Sequence, residues 1–280
     1  MKGVIIAAGY GTRFLPASKT VPKELFPLID TPAIDFIIDE FIASGIKDIL
    51  IVTSRRKKAL EDYFDHEIEL EKFFINSNNP DKNKLILPKD INVFFVRQKE
   101  MKGTGNALLE CRSFIGNEPF VVAYPDDIVF SDKPLSKQLI ELYNKTGANI
   151  LSAEFIEGDL SRYGIIDFTE EKGDYKVKRI VEKPKQGTAP SNMISVGRYL
   201  FTPDFLPLLS EDYKNHSKGE FYHIGTINKL ASMNKVYSSV YSGERLDIGD
   251  KIGYLEGIIK YSLSRSDLRD QTKMILKKYL

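Results

Sequence analysis

The sequence predicts an α/β protein built on a doubly wound sheet of mainly parallel strands. Three observations carry that expectation. Val4 to Ala8 is an unbroken apolar run, the pattern of a strand buried on both faces. Asp48 to Thr53 (DILIVT) is a second such run, reached through apolar residues at helical spacing, Ile34, Ile37, Ile38, Phe41 and Ile42. A charged helical stretch from about Arg56 to Phe64 comes next. The order strand, loop, helix, strand, helix calls for parallel strands joined by right-handed crossovers.

The first strand feeds a loop that runs to Pro27, KGVIIAAGYGTRFLPASKTVPKELFP from Lys2 onward. Ala7, Ala8, Gly9 and Gly11 leave room for a bulky ligand against the backbone. Arg13, Lys19 and Lys23 add positive charge, so the loop offers exposed N–H groups and cations to a polyphosphate. A Walker loop is excluded, because no Gly-Lys-Ser/Thr follows the spacer. The dehydrogenase fingerprint is excluded too: Phe14 fills its third small position, and Pro16 and Pro22 keep the chain irregular where a helix should open. Glycine pairs alone would fit a solvated basic loop; Arg13, Pro22-Lys23-Glu24 and Pro27 favour phosphate binding.

Pro32 to Ser44 reads as a helix stopped by Gly45, and Ile75 to Asp90 as a polar, mobile surface loop. Asn92 to Arg97 is a strand, Gly103 to Phe114 a helix opened by Lys102-Gly103-Thr104-Gly105, and Pro119 to Tyr124 a central strand ending on Asp126 and Asp127. After a helix near Leu135 to Lys145, short strands cover Ile150–Phe155, Gly164–Phe168, Lys176–Glu182, Ile194–Phe201 and Val236–Tyr241. Helices are expected near Phe221 to Met233, Asp250 to Leu263 and Asp267 to Leu280. Residues 1–280 form one expected domain. Its C-terminal helical segment, 250–280, is either a solvated tail or a packing element for another subunit.

Composition narrows the partners. The chain has 280 residues, 42% of them hydrophobic, and a net charge of +1 from 40 basic and 39 acidic side chains. No global field draws it to nucleic acid or to a membrane, so any anion site is local. Cys111 is the only cysteine, which excludes an internal disulfide and fits a reducing compartment. The N-terminus enters a strand at once, leaving no room for a signal peptide, and the cytoplasm is the expected location.

Asp126 falls just beyond the carboxyl end of a buried strand, where open α/β sheets bind ligands. A carboxylate beside a triphosphate suits Mg²⁺, a hard ion that completes its shell with phosphate and water. Asp127 is the alternative ligand. His66, His216 and His223 carry no triad or metal spacing.

GxGTRxLPxSKxxPKE closely resembles the signature loop of the sugar nucleotidyltransferases. The stretches VTSRRKKALEDYFD, VRQKEMKGTGNALL, YPDD, VEKPK, APSNMISVGRY and LDIGDKIGYLEG resemble the same family in order, so the likeness covers nearly the whole chain. It implies a Rossmann-like, mixed and mainly parallel sheet flanked by helices, and uridylyl transfer from UTP to glucose 1-phosphate with Mg²⁺. By the same resemblance Asp126 and Asp247 hold the metal, and Arg13 and Lys23 hold the departing pyrophosphate. Ala8, Gly9, Gly11 and Thr12 line the nucleotide, and Gln98 with Gly103 reads uracil. Glu182 and Gly164 face the sugar, Lys183 neutralises its phosphate, and Ser195 to Gly197 lines its pocket. A homo-oligomer, dimer or tetramer, is also implied. Two alternatives stay open: the same reaction with dTTP or another sugar 1-phosphate, and a non-catalytic nucleotide-sugar sensor. One stretch departs from the family. KGEFYHIGTIN, Lys218 to Asn228, keeps Glu220 but has Gly225 for the usual Asp and Tyr222-His223 for Gln-Leu. This stretch is expected at the sugar end of the cleft.

Overall fold

The computed structural model describes residues 1–279, so Leu280, the end of the expected C-terminal helix, lies outside the described residues. The first half runs β1 (Lys2–Ile6), β2 (Pro27–Leu28), β3 (Thr31–Pro32), α1 (Ala33–Ala43), β4 (Asp48–Thr53), α2 (Lys58–Tyr63), α3 (Ile68–Asn76), α4 (Pro80–Ile86), β5 (Asn92–Arg97), α5 (Thr104–Leu109), α6 (Arg112–Ile115), β6 (Phe120–Ala123) and β7 (Asp127–Phe130). Then come α7 (Leu135–Thr146), β8 (Asn149–Phe155), β9 (Gly164–Glu171), β10 (Asp174–Glu182), β11 (Met193–Phe201), α8 (Phe205–Lys214), α9 (Ile224–Ser232), β12 (Val236–Val240), β13 (Glu244–Asp247), α10 (Lys251–Ser264) and α11 (Arg269–Tyr279).

Nine strands form one mixed sheet in the order β5-β4-β1-β6-β11-β8-β12-β10-β9. The pairs β5–β4, β4–β1 and β1–β6 are parallel, β11 is antiparallel to both of its neighbours, and β10 is antiparallel to β12 and β9. With β12 parallel to β8, only β10 and β11 run against the rest. Side chains alternate across the strands and build two cores. Val4, Leu50 and Val52 face one with α5, α8 and α9, while Ile5, Ile49 and Ile51 face the other with α1 and α7. This two-sided burial is why the strands read as continuous apolar runs. A third, smaller core joins Leu28, Ile128, Leu246 and Ile248 to Tyr254 and Ile258 of α10. No helix among the described residues is long and apolar enough to cross a membrane.

Three expectations need correction. The expected loop 75–90 carries the end of α3 and all of α4. Asn79 accepts the Lys82 N–H at 3.3 Å and Pro80 takes the first helical position, so the Asn-Pro pair starts a helix here rather than a turn. The expected single helix 103–114 is two short ones, α5 and α6. Helix α8 was not among the expected elements; Pro207 lies in its first turn, where no intrahelical N–H is needed.

Candidate active site

The parallel strands deliver the ends of β1, β4 and β6 to one edge of the sheet. There the loop after β1 folds into three 3₁₀ turns, Thr12–Phe14, Ala17–Lys19 and Lys23–Leu25. Gly11 enters the first with φ 66°, and its carbonyl accepts the Ser18 hydroxyl at 2.7 Å. A buried cation fixes the loop from behind. The Lys57 Nζ donates to the Ala7 carbonyl at 2.5 Å and to both Glu24 oxygens at 2.7 and 2.8 Å. Burial pulls the Lys57 ammonium pKa down against the opposing pull of Glu24. Sequence reasoning missed this pair, since Lys57 sits in the run SRRKK, which looks like a solvated face.

Strand β6 ends in Tyr124-Pro125-Asp126, and the short β7–β13 pair places Asp247 opposite Asp127. Ile248 N–H donates to the Asp126 carbonyl at 2.9 Å, closing the same corner. The two neighbouring aspartates are used differently. Asp127 is buried, accepting from Gly197 N–H at 2.7 Å and from Arg245 Nε at 2.5 Å. Asp126 accepts from the Lys23 ammonium, and its carboxylate and that of Asp247 both stay partly exposed. Gly249 shows how closely the charges converge. A Cβ built there would lie 2.9 Å from Asp126 Oδ2, 3.0 Å from Asp247 Oδ1 and 3.5 Å from the Arg13 guanidinium.

Burial raises the Asp126 pKa, but Lys23 outweighs it and holds the carboxyl below its ordinary value. Burial and then the Asp127 charge push Asp247 the other way, above its ordinary value, with Arg245 opposing. An acidic pair with too little countercharge suits a hard divalent cation. Among the described residues no group of three or more His, Cys, Asp or Glu converges as a metal cage. Two carboxylates are what an ion completed by phosphate and water requires.

Beside this corner opens a cleft of about 330 Å³, lined by Ala8, Gly9, Gly11, Thr12, Lys23, Gln98, Gly103 and Asp126 among others. Gln98 is buried, and its amide donates to the Gly103 carbonyl at 3.1 Å and to Asn106 Oδ1 at 2.9 Å. Both amide hydrogens are therefore taken, and the amide oxygen is what Gln98 has left to offer. Gly103 has φ 95°, with the Phe221 carbonyl 2.5 Å from where a Cβ would sit.

That contact ties the stretch 218–228 to the turn at Gly103. Phe221 N–H donates to the Lys102 carbonyl at 2.6 Å and the Phe221 carbonyl accepts from Gly105 N–H at 2.9 Å. Glu220 and Tyr222 line the same cleft as Gln98 and Gly103. His223 is buried behind them with Nδ1 3.0 Å from the Thr104 hydroxyl, and burial lowers its pKa to about 4. The stretch thus braces the 102–105 turn.

Glu182 pairs with Gly164 in the β10–β9 ladder, and a Cβ on Gly164 would come 3.0 Å from Glu182 Oε2. Lys183 takes φ 45°, its N–H held by the Tyr163 carbonyl at 2.9 Å and its ammonium exposed, 3.7 Å from Glu182. Glu182, Lys183, Gly164 and Asp247 do not line the 330 Å³ cleft. Ser195 donates its hydroxyl to Tyr199 at 3.4 Å.

An open α/β sheet with a glycine loop, two cations and two convergent carboxylates at its carboxyl edge defines a protein that handles nucleotide phosphates. The family described as Nucleotidyl transferase matches residues 2–262. UTP–glucose-1-phosphate uridylyltransferase of Staphylococcus epidermidis is 42% identical over 280 residues, 99% of this chain and 97% of that protein. A solved UTP-bound UGPase from Acinetobacter baumannii superposes with a TM-score of 0.89 at 33% identity, covering 98% of each chain. A UDP-glucose pyrophosphorylase complexed with UDP-glucose gives 0.83 at 37% identity, over 94% of this chain and 99% of that one. The chain belongs to the nucleotidyl transferase family and, within it, to the group of the UTP–glucose-1-phosphate uridylyltransferases. Nucleotidyltransferases of this family generally use a divalent metal.

Proposed function

We propose that the chain transfers uridylyl from UTP to glucose 1-phosphate, giving UDP-glucose and pyrophosphate. The observation that carries this reading is the convergence of Asp126, Asp247 and Arg13 on Gly249, beside a cleft that opens onto Lys23. A sugar-phosphate oxygen attacks the α-phosphorus in line and pyrophosphate departs. Such displacement needs positioning and charge neutralisation more than proton transfer.

In this reading the backbone of Ala8, Gly9, Gly11 and Thr12 seats the nucleotide, and Gln98 with the Gly103 turn reads uracil. Arg13 and Lys23 hold the triphosphate and then the pyrophosphate. Lys183 meets the sugar phosphate, and Glu182 with the Gly164 turn meets sugar hydroxyls. Mg²⁺, held by Asp126 and Asp247, would neutralise phosphate charge. Cys111 is fully buried with its thiol pKa pushed up by burial, so it supplies no nucleophile.

The test is a panel of nucleoside triphosphates against sugar 1-phosphates, read by pyrophosphate release. UTP with glucose 1-phosphate should be turned over best, and only with a divalent cation present. A preference for dTTP or another sugar would move the assignment within the family. Pyrophosphate release from no pair would overturn it.

A further inference from the structure

Lys57 and Glu24 are 6% and 1% exposed, and each is the other's only charged partner among the described residues. Lys57 stands at the start of α2, whereas Arg55 and Arg56 just before it are exposed. Its other side-chain contact is the Ala7 carbonyl. Lys57 does not line the 330 Å³ cleft.

Lys23 stands next to Glu24 in the 3₁₀ turn Lys23–Leu25, yet its ammonium goes to Asp126 at the cleft. Burial pulls the Lys23 pKa down, but the charges of Asp126 and then of Glu24 outweigh it and hold the ammonium above its ordinary value. Two carboxylates thus act on one lysine, and a flexible four-carbon stem lets an ammonium change partners. Both Glu24 oxygens are already occupied, by Lys57 Nζ at 2.7 and 2.8 Å. A buried carboxylate stripped of its cation is left uncompensated at high cost, so it would draw in the nearest cation. For Glu24 the neighbouring cation is Lys23.

We infer that Lys57 is a positioning residue: by occupying Glu24 it leaves Lys23 free to face the cleft beside Asp126. The role rests on the proposed reaction, in which Lys23 meets the phosphates. Lys57 touches no substrate and acts through Lys23.

Turnover measured well below the melting temperature of each variant tests this. Lys57→Met strands Glu24, which then captures Lys23, and kcat should fall by about a hundredfold, the scale of losing one preorganised charge contact. Lys57→Met combined with Glu24→Gln loses the same Ala7 contact but leaves no carboxylate to compete. It should regain about tenfold or more of that loss, because the two changes are coupled through one pair. Added to Lys23→Ala, Lys57→Met should cost less than about twofold more, since the residue it acts through is gone. A purely structural Lys57 would multiply its loss onto that of Lys23→Ala. Such multiplication, wild-type turnover in Lys57→Met, or a loss that Glu24→Gln does not relieve would overturn the role while the reaction stands. Wild type without turnover on any substrate pair would overturn the reaction and this role together. Should Lys57→Met alone not fold, the Lys57→Met, Glu24→Gln variant decides. Turnover near wild type supports the role, and turnover as low as that of Lys23→Ala overturns it.

Discussion

His223 is neutral because it is buried, and that has a consequence for acid stability. Its pKa falls from the ordinary 6.5 to about 4 in the folded chain. As pH drops, the unfolded chain takes up the proton first. Stability is therefore complete above pH 6.5 and erodes down to about 4, by at most about 3 kcal/mol. Urea midpoints measured across this range should fall for wild type and flatten for His223→Leu. Equal slopes for the two would place the acid sensitivity elsewhere. Lys23, proposed to hold the triphosphate and paired with Asp126, gives a second test at this scale. Lys23→Ala should lower kcat by about 10²–10³, the usual effect of removing one preorganised charge contact. The ratio of UTP to dTTP use should not move, because the proposed role of Lys23 is toward phosphate charge rather than the base. A variant that mainly exchanged one base for the other would contradict the assignment.

At the scale of elements, legibility followed the range of the cause. Strands β1, β4 and β6 were readable because burial on both faces writes itself into a local run. Helix α8 was not, because Pro207 is a breaker inside a helix and harmless in its first turn. The Lys57–Glu24 pair joins residues 33 apart, and nothing local distinguishes a buried lysine from the solvated cations beside it. The stretch 218–228 shows the same limit. Its departure from the family was visible, but its seat against the 102–105 turn depends on a backbone contact that no motif encodes. Gly103→Ala tests that seat. The new Cβ would need φ 95° and would meet the Phe221 carbonyl at 2.5 Å, so the turn must shift. With a strained residue costing about 1–3 kcal/mol, the UTP KM should rise several-fold to about a hundredfold. The glucose 1-phosphate KM should stay nearly constant. A larger change on the sugar side would return the stretch to the sugar end of the cleft.

At the scale of the molecule, the proposed site is assembled from the loop after β1, the end of β6 and the end of β13. Motifs showed that these segments matter; only the β7–β13 pair shows how the last is brought to the others. That pair lies outside the nine-stranded sheet and is joined across its strands by Asp127 and Arg245. Both side chains are nearly enclosed, 11% and 14% exposed, so the ion pair is largely shielded from solvent. Arg245 also stands 3.6 Å from Asp247. Arg245 is no proposed substrate contact, so Arg245→Met should act through the two carboxylates beside it. It strands the Asp127 charge, a change that costs about 3–5 kcal/mol when a buried pair loses one partner. Strand β13 then loses its tie to β7, and Asp247 and Gly249 lose their placement against Asp126 and Arg13. The main sheet does not include either strand, so far-ultraviolet circular dichroism should remain native while the melting temperature falls. Turnover should drop by about a hundredfold or more, in the range expected when a preorganised charge site is disordered. The divalent-cation concentration for half-maximal rate should rise with it. Arg245→Lys, which keeps the charge but not the guanidinium geometry, should recover part of both losses. If Arg245→Met lowered stability while leaving turnover and cation dependence at wild-type values, the β7–β13 pair would be only a structural tie, and Asp247 would have to be held in place by something else.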